Sequence, residues 1–170
     1  MPFLSRAFTL IDLLTCVALA SILLGIGVPA LMSMVHDQRV RSASLGLLQS
    51  AMLARNESIK RRQPVLVRAR DKDWSKGWEV FVDLNDNAQR EPHEPLLAQR
   101  SAPGGVIIKG NSPVAHYLRY TPTGQTKRLG GAFQAGTVTI CHINGKQSVR
   151  RLVLSSVGRL RSVADKPGGC

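Results

Sequence analysis

Residues 8–28, FTLIDLLTCVALASILLGIGV, form an apolar run in which Asp12 is the only ionisable group besides a thiol. A helix of about 20 such residues crosses the hydrocarbon core of a bilayer, so this 21-residue stretch has the length of a single span. Only seven residues, MPFLSRA, precede it, with Arg6 just ahead of the run. A cation at that end keeps it cytoplasmic and sends the C-terminal bulk across the membrane. Ala18-Leu19-Ala20 supplies an A-x-A site, but cutting there leaves SILLGIGV as the new terminus, in the middle of the apolar run. A conventional cleaved signal peptide is therefore disfavoured. A plain signal anchor explains the hydrophobicity but not Asp12. A carboxylate about one turn into a bilayer costs roughly 2.5–3.5 kcal/mol on insertion scales, and so calls for a partner.

Arg6-Ala7-Phe8-Thr9-Leu10-Ile11-Asp12, followed by an apolar helix, resembles the class III signal of type IV prepilins and type II secretion pseudopilins, usually written G-F-T-L-I-E. The resemblance implies that residues 1–7 are a leader and that a dedicated prepilin peptidase cuts between Ala7 and Phe8, then methylates the new amine of Phe8. It gives Asp12 a role in subunit assembly, pairing with the N-terminal amine of a neighbouring subunit. It also puts Pro29 where pilins bend their long helix, in keeping with proline's missing N–H. The implied partners are other pilins or pseudopilins, packed through the N-terminal helix, and the peptidase. The implied location is the bacterial inner membrane, single-pass with a periplasmic head, and then a pilus or pseudopilus filament. Two departures stand out: Ala7 replaces Gly before the cut, and Asp12, one methylene shorter, replaces Glu.

Beyond Pro29 the pattern turns amphipathic. Val40, Ala43, Leu47, Ala51, Ala54 and Ser58 recur at three- and four-residue spacing, with Arg39, Arg41, Arg55, Lys60 and Arg61 mostly elsewhere. The spacing predicts that the helix continues over 29–63 and stops at Gln63-Pro64, since proline disfavours helix at the residue before it. One helix from Phe8 to about Arg62 is ~80 Å long at 1.5 Å per residue. From 64 to 170 the period becomes two. PVLVRAR, GWEVFVD, EPLLAQRSA, GVIIKG, AHYLRYTPTG, GTVTICHI and SVRRLVLSSVGRLRSV are separated by Gly, Pro and Asn turns. The expected fold is α+β and pilin-like: a long N-terminal helix, membrane-spanning in its first half, packed against a β-rich head of antiparallel sheets. The arrangement resembles the type II secretion system protein H and FimT family, in which Trp74-x-x-Gly77-Trp78-Glu79-Val80-Phe81-x-Asp83 has a close counterpart.

Chemistry in the head points to binding rather than catalysis. Ser155 and Ser156 do not form G-x-S-x-G, and no local signature places a base beside them. His36, His93, His116 and His142 match no ligand spacing and are expected at the surface or in turns. Asp83-Leu84-Asn85-Asp86-Asn87 with Glu94 at the twelfth place mimics a calcium loop, but Ala88 replaces the sixth-place Gly and the flanks read as strands. An Asn/Asp-rich turn accounts for it. No metal, cofactor or enzymatic role is expected. Cys16 lies in the apolar run as a small hydrophobe. In an oxidising compartment Cys141 and Cys170 are most simply a disulfide; it closes a loop of 29 residues, worth about 3.5 kcal/mol by chain entropy.

Charge bears on partners, although Lys and Arg can equally serve only to keep the head soluble, and position decides between the two. With 23 Lys and Arg against 11 Asp and Glu, the formal charge is +12 and the pI near 10.7, a field that attracts phosphate backbones or anionic lipid head groups. Arg150-Arg151 opens a strand and Gly158-Arg159-Leu160-Arg161 follows. If that last stretch is extended, Arg159 and Arg161 lie on one side, ~6.6 Å apart, with Leu160 turned to the core and Gly158 as a bend. Two guanidiniums on one ridge grip phosphate, and Lys127 and Arg128 in a turn-rich stretch add to the patch. The G-R-x-R tail resembles that of FimT-like minor pilins, some of which bind DNA at the pilus tip during natural transformation. That carries DNA binding to Arg159 and Arg161, with Gly158 as hinge. The competing reading is solvated edge-strand arginines that discourage aggregation. No aromatic is close in sequence to the tail, so base stacking is not expected. Two functions remain open: a minor pilin that aids pilus assembly and contacts incoming DNA, or a structural pseudopilin of a type II secretion machine.

Overall fold

The computed structural model describes residues 10–168 and 170, which divide into two compact units, one ending at Val35 and the other spanning His36–Cys170. The first unit is helix alone. Helix α1 runs Leu10–Arg61, with Asp12 in its first turn and Pro29 inside it. An 18-residue window of this helix has a mean hydropathy of 2.3, and none of it is buried within the protein. The side chains from Leu10 to Val35 therefore need an apolar environment that the chain itself does not supply.

In the second unit α1 carries the stripe that its spacing predicts: Val40, Ala43, Leu47, Ala51, Ala54 and Ser58 are all buried, joined by Ser44, Gly46 and Ser50. Small residues dominate the stripe, which lets sheet side chains approach the helix axis closely. Trp78 is the clearest case; its indole N–H donates to Ser50 Oγ at 2.9 Å, so the ring's polar edge is satisfied inside the core. The helix ends at Arg61, two residues earlier than the spacing suggests, with Arg62 at φ 55° ahead of Pro64.

Among the described residues eight strands follow, in two antiparallel sheets. They are β1 (Val65–Ala69), β2 (Trp78–Val82), β3 (Leu96–Arg100), β4 (Val106–Gly110), β5 (Tyr117–Tyr120), β6 (Gly136–His142), β7 (Ser148–Leu154) and β8 (Leu160–Pro167). One sheet has the order β3-β2-β1-β5 and the other β4-β6-β7-β8. The stretch that reads as one strand-like segment, 148–163, is two strands, because the chain reverses at 155–158. The main core joins the helix stripe to Val65, Val67, Val80 and Leu118 of the first sheet and Ile108, Ile140, Leu152 and Leu154 of the second, while Leu66, Phe81 and Ala88 form a smaller cluster.

The Trp74–Asp83 motif is structural. Trp74 Nε1 donates to Val114 O at 3.1 Å. Gly77 sits at φ 104°, where a Cβ would lie 2.3 Å from Arg100 O. Asp83 is fully buried and accepts from the backbone N–H groups of Asn87 and Ala88 at 3.1 and 3.0 Å. Burial pushes its carboxyl above the usual range, and those two donors oppose the shift. Glu94 accepts from Leu84 and Glu91 N–H in the same loop. The calcium-like spacing thus serves an Asx-type turn, and among the described residues no group of three or more His, Cys, Asp or Glu is placed to hold a metal ion.

The histidines differ from expectation at one place. His142 is buried and its ring stacks on His36 of α1, centroids 4.1 Å apart. It ends β6 on the same inner face as Val138 and Ile140, opposite Val106, and its Nε2 has no hydrogen-bond partner among the described residues.

Candidate nucleic-acid interface

Backbone geometry builds the site around the 155–158 turn. Gly158 N donates to Ser155 O at 2.9 Å and Ser155 N to Arg159 O at 3.0 Å, closing the reversal between β7 and β8. Gly158 has φ 81°, and a Cβ there would stand 2.0 Å from Gly124 O. No residue with a side chain fits this position without backbone movement.

After Gly158, Arg159 and Arg161 are exposed on either side of Leu160, which packs against the core. Both arginines are exposed as expected, but Arg159 lies in the turn ahead of β8 rather than in the extended strand. In the β7–β8 register Val153 stands opposite Arg161 and Arg151 opposite Val163, so Arg151 shares the outer face with Arg161. Arg150 does not. It stands opposite Ile140 and Ala164, on the inner face with Leu152 and Leu154, because period two sends neighbouring residues to opposite sides. Arg151 is also engaged: its guanidinium lies 2.8 Å from Asp165 Oδ2, so the pair presents little net charge.

Lys127 and Arg128 come to the turn through hydrogen bonds that their distance in sequence hides. Thr126 N donates to Ser156 O at 3.1 Å, and Thr126 Oγ1 reaches Ser155 O at 3.0 Å and Gln134 O at 2.7 Å. One buried hydroxyl thus pins the 126–134 hairpin to the turn that leads into Arg159. The same hairpin carries Phe133, paired with Lys127 by an isolated bridge and 69% exposed, which puts an aromatic ring in the neighbourhood of the basic turn. No sequence signal connects 133 to 158.

Arg55 is a further cation at the site. It lies between the buried Ala51, Ala54 and Ser58, at the border of the helix stripe, whereas the spacing set it among the cations mostly off that stripe. A cavity of about 180 Å³ between α1 and the turn is lined by Arg55, Tyr120, Gly158 and Arg159 together with apolar side chains. Burial raises the pKa of the Tyr120 phenol and the Arg55 charge opposes that shift, so the two groups are close. Among the described residues no carboxylate forms a salt bridge with Arg55, Arg159 or Arg161.

Cys141 and Cys170 form a disulfide on the outer side of the β4-β6-β7-β8 sheet. Lys109 Nζ donates to Cys170 O at 3.4 Å, so the tail after β8 crosses back to β4 and β6, while pairing with β7 holds the Gly158–Arg161 segment. Asp12 lies in the first turn of α1, and Thr15 Oγ1 donates to its backbone carbonyl at 2.9 Å. Ala7 and Phe8, the expected cleavage and methylation positions, lie outside the described residues.

Residues 43–158 match the family described as type II transport protein GspH. The chain belongs to the GspH family. The GspH match ends at the turn glycine, so Arg159 and Arg161 fall beyond it. Among solved structures this GspH chain is similar to the type IV minor pilin FimU of Pseudomonas aeruginosa. That match has 24% identity and a TM-score of 0.59, and covers 76% of this chain and 95% of FimU. It is also similar to the minor pseudopilin EpsH of the Vibrio cholerae type 2 secretion system, at 16% identity and a TM-score of 0.55 over 74% of this chain and 97% of EpsH. These likenesses establish the pilin fold. No curated protein gives a significant match. Pilins and pseudopilins are structural subunits rather than enzymes, and membership in this class implies assembly with other pilins. The long apolar helix fits anchoring in the inner membrane and packing in a filament.

Proposed function

We propose that this GspH-family chain is a FimT-like minor pilin, cleaved between Ala7 and Phe8, N-methylated at Phe8 and incorporated into a type IV pilus, whose head binds the DNA backbone for uptake. Asp12 pairs with the freed amine of a neighbouring subunit during assembly. The head stands in the periplasm and then on the filament. The observation that carries DNA binding is the turn at Gly158, which gathers Arg159 and Arg161 with the pinned Lys127–Arg128 hairpin on a surface where no carboxylate pairs with either tail arginine among the described residues.

Physics sets the manner of binding. Contact is electrostatic, indifferent to base sequence, ~10⁻⁴ to 10⁻⁶ M for one head, and weakened steeply by salt. Several heads along a filament raise it through avidity. The test is retardation of duplex DNA across a salt series by the parent and by the double variant Arg159→Gln, Arg161→Gln. Loss of retardation supports the reading; unchanged affinity and salt slope remove the tail from the account.

The family description and the EpsH likeness favour a second reading, a structural pseudopilin of a type II secretion machine. Its mark is a head that binds other pseudopilins and leaves duplex DNA unretarded at low salt.

A further inference from the structure

We propose that Arg55 and Arg159 together hold one phosphodiester group in the cavity between α1 and the 155–158 turn, so that the long helix contributes directly to nucleic-acid binding. The inference rests on the DNA reading above and deepens it. The ridge of Arg159 and Arg161 offers surface charge; the cavity brings Arg55 and Arg159, from separate elements, to the edge of one largely apolar recess.

Several observations converge on that recess. Its volume of about 180 Å³ admits a phosphate with ordered water at ~30 Å³ per water molecule. Its lining is largely apolar, from Ala51, Met52, Leu160 and the buried Tyr120; Arg55 and Arg159 supply the cations at its edge, and no acidic residue takes part. Glu57, the nearest acid in sequence to Arg55, pairs with Lys60 and Arg61 instead. Arg55 is half-buried, and its guanidine stem lies against Gly124, where a Cβ would come within 3.2 Å of Nε. Gly124 O in turn abuts Gly158. The two glycines thus let the helix cation and the tail cation approach one space. A guanidinium held in place this way gives a directional fork to phosphate oxygens, which a lysine ammonium does not reproduce.

The experiment uses the full chain in neutral detergent and a labelled duplex across a salt series, with Arg55→Gln, Arg55→Lys and the Arg159→Gln, Arg161→Gln double variant. Arg55→Gln is expected to weaken binding about tenfold, as for loss of one charge-assisted contact, and to lower the log–log salt slope by about 0.9, the change expected for one phosphate released. Arg55→Lys is expected to keep the slope while losing affinity, and thermal melting of both is expected to match the parent. The inference is overturned if Arg55→Gln binds like the parent while the double variant does not, or if it weakens binding with an unchanged slope. If none of the variants changes binding, the DNA reading itself fails along with it.

Discussion

At Gly158 a single hydrogen is all the space allows. The residue sits at φ 81° with Gly124 O in the place a Cβ would take. Gly158→Ala adds positive-φ strain to a backbone collision and is expected to destabilise the head by about 1–3 kcal/mol. Thermal melts read that loss, and weakened DNA retardation at temperatures where the variant is still folded shows that the turn aims Arg159. His36 is the residue through which pH acts near neutrality. Desolvation lowers its pKa from the ordinary 6.5, repulsion from His142 and Arg39 adds to this, and Asp37 opposes it. A base whose folded pKa is depressed binds its proton more readily in the unfolded chain. Stability therefore falls as pH drops through 6.5 towards the folded value. Melting temperatures between pH 7.5 and 5.5 are expected to decline less for His36→Gln than for the parent; parallel declines contradict the assignment.

The β7–β8 hairpin is the element on which the charge balance turns. Arg151 shares a face with Arg161 but is held by Asp165 on the neighbouring strand. Asp165→Asn releases that guanidinium and removes a negative charge from the ridge. Duplex affinity is expected to rise several-fold, with a steeper salt dependence, and no change would place Arg151 away from the bound backbone. This pairing also marks where reading the sequence stopped short. Period-three-and-four spacing named the helix stripe from Val40 to Ser58 residue by residue, because packing on one face leaves its trace locally. Period two fits Leu160 and Arg161, but Arg159 lies in the turn ahead of β8 and lines the cavity beside α1 with Leu160. Both Arg150 and Arg151 were expected in the patch, and the register puts Arg150 on the inner face instead. What escaped were contacts made across the fold: Thr126 with Ser155, Arg55 with the turn, and His142 on His36. Each depends on strand order, which no local pattern in this chain encodes.

At the scale of the whole molecule, one polypeptide carries two surfaces with opposite demands. Up to Val35 the helix exposes apolar side chains to whatever surrounds it, whereas the unit from His36 holds the hydrophobic core and nearly all of the cationic surface. GspH membership and the pilin fold account for both as anchor and head of one subunit. In the proposed function, the freed amine of Phe8 meets a neighbour's Asp12 as the subunit leaves the membrane for a filament. Intact-mass and N-terminal fragment-ion measurement of the protein purified from its own membranes tests this most directly. A mature chain beginning at N-methylated Phe8 is the expected result; a chain that retains residues 1–7, or begins at any other position, contradicts it.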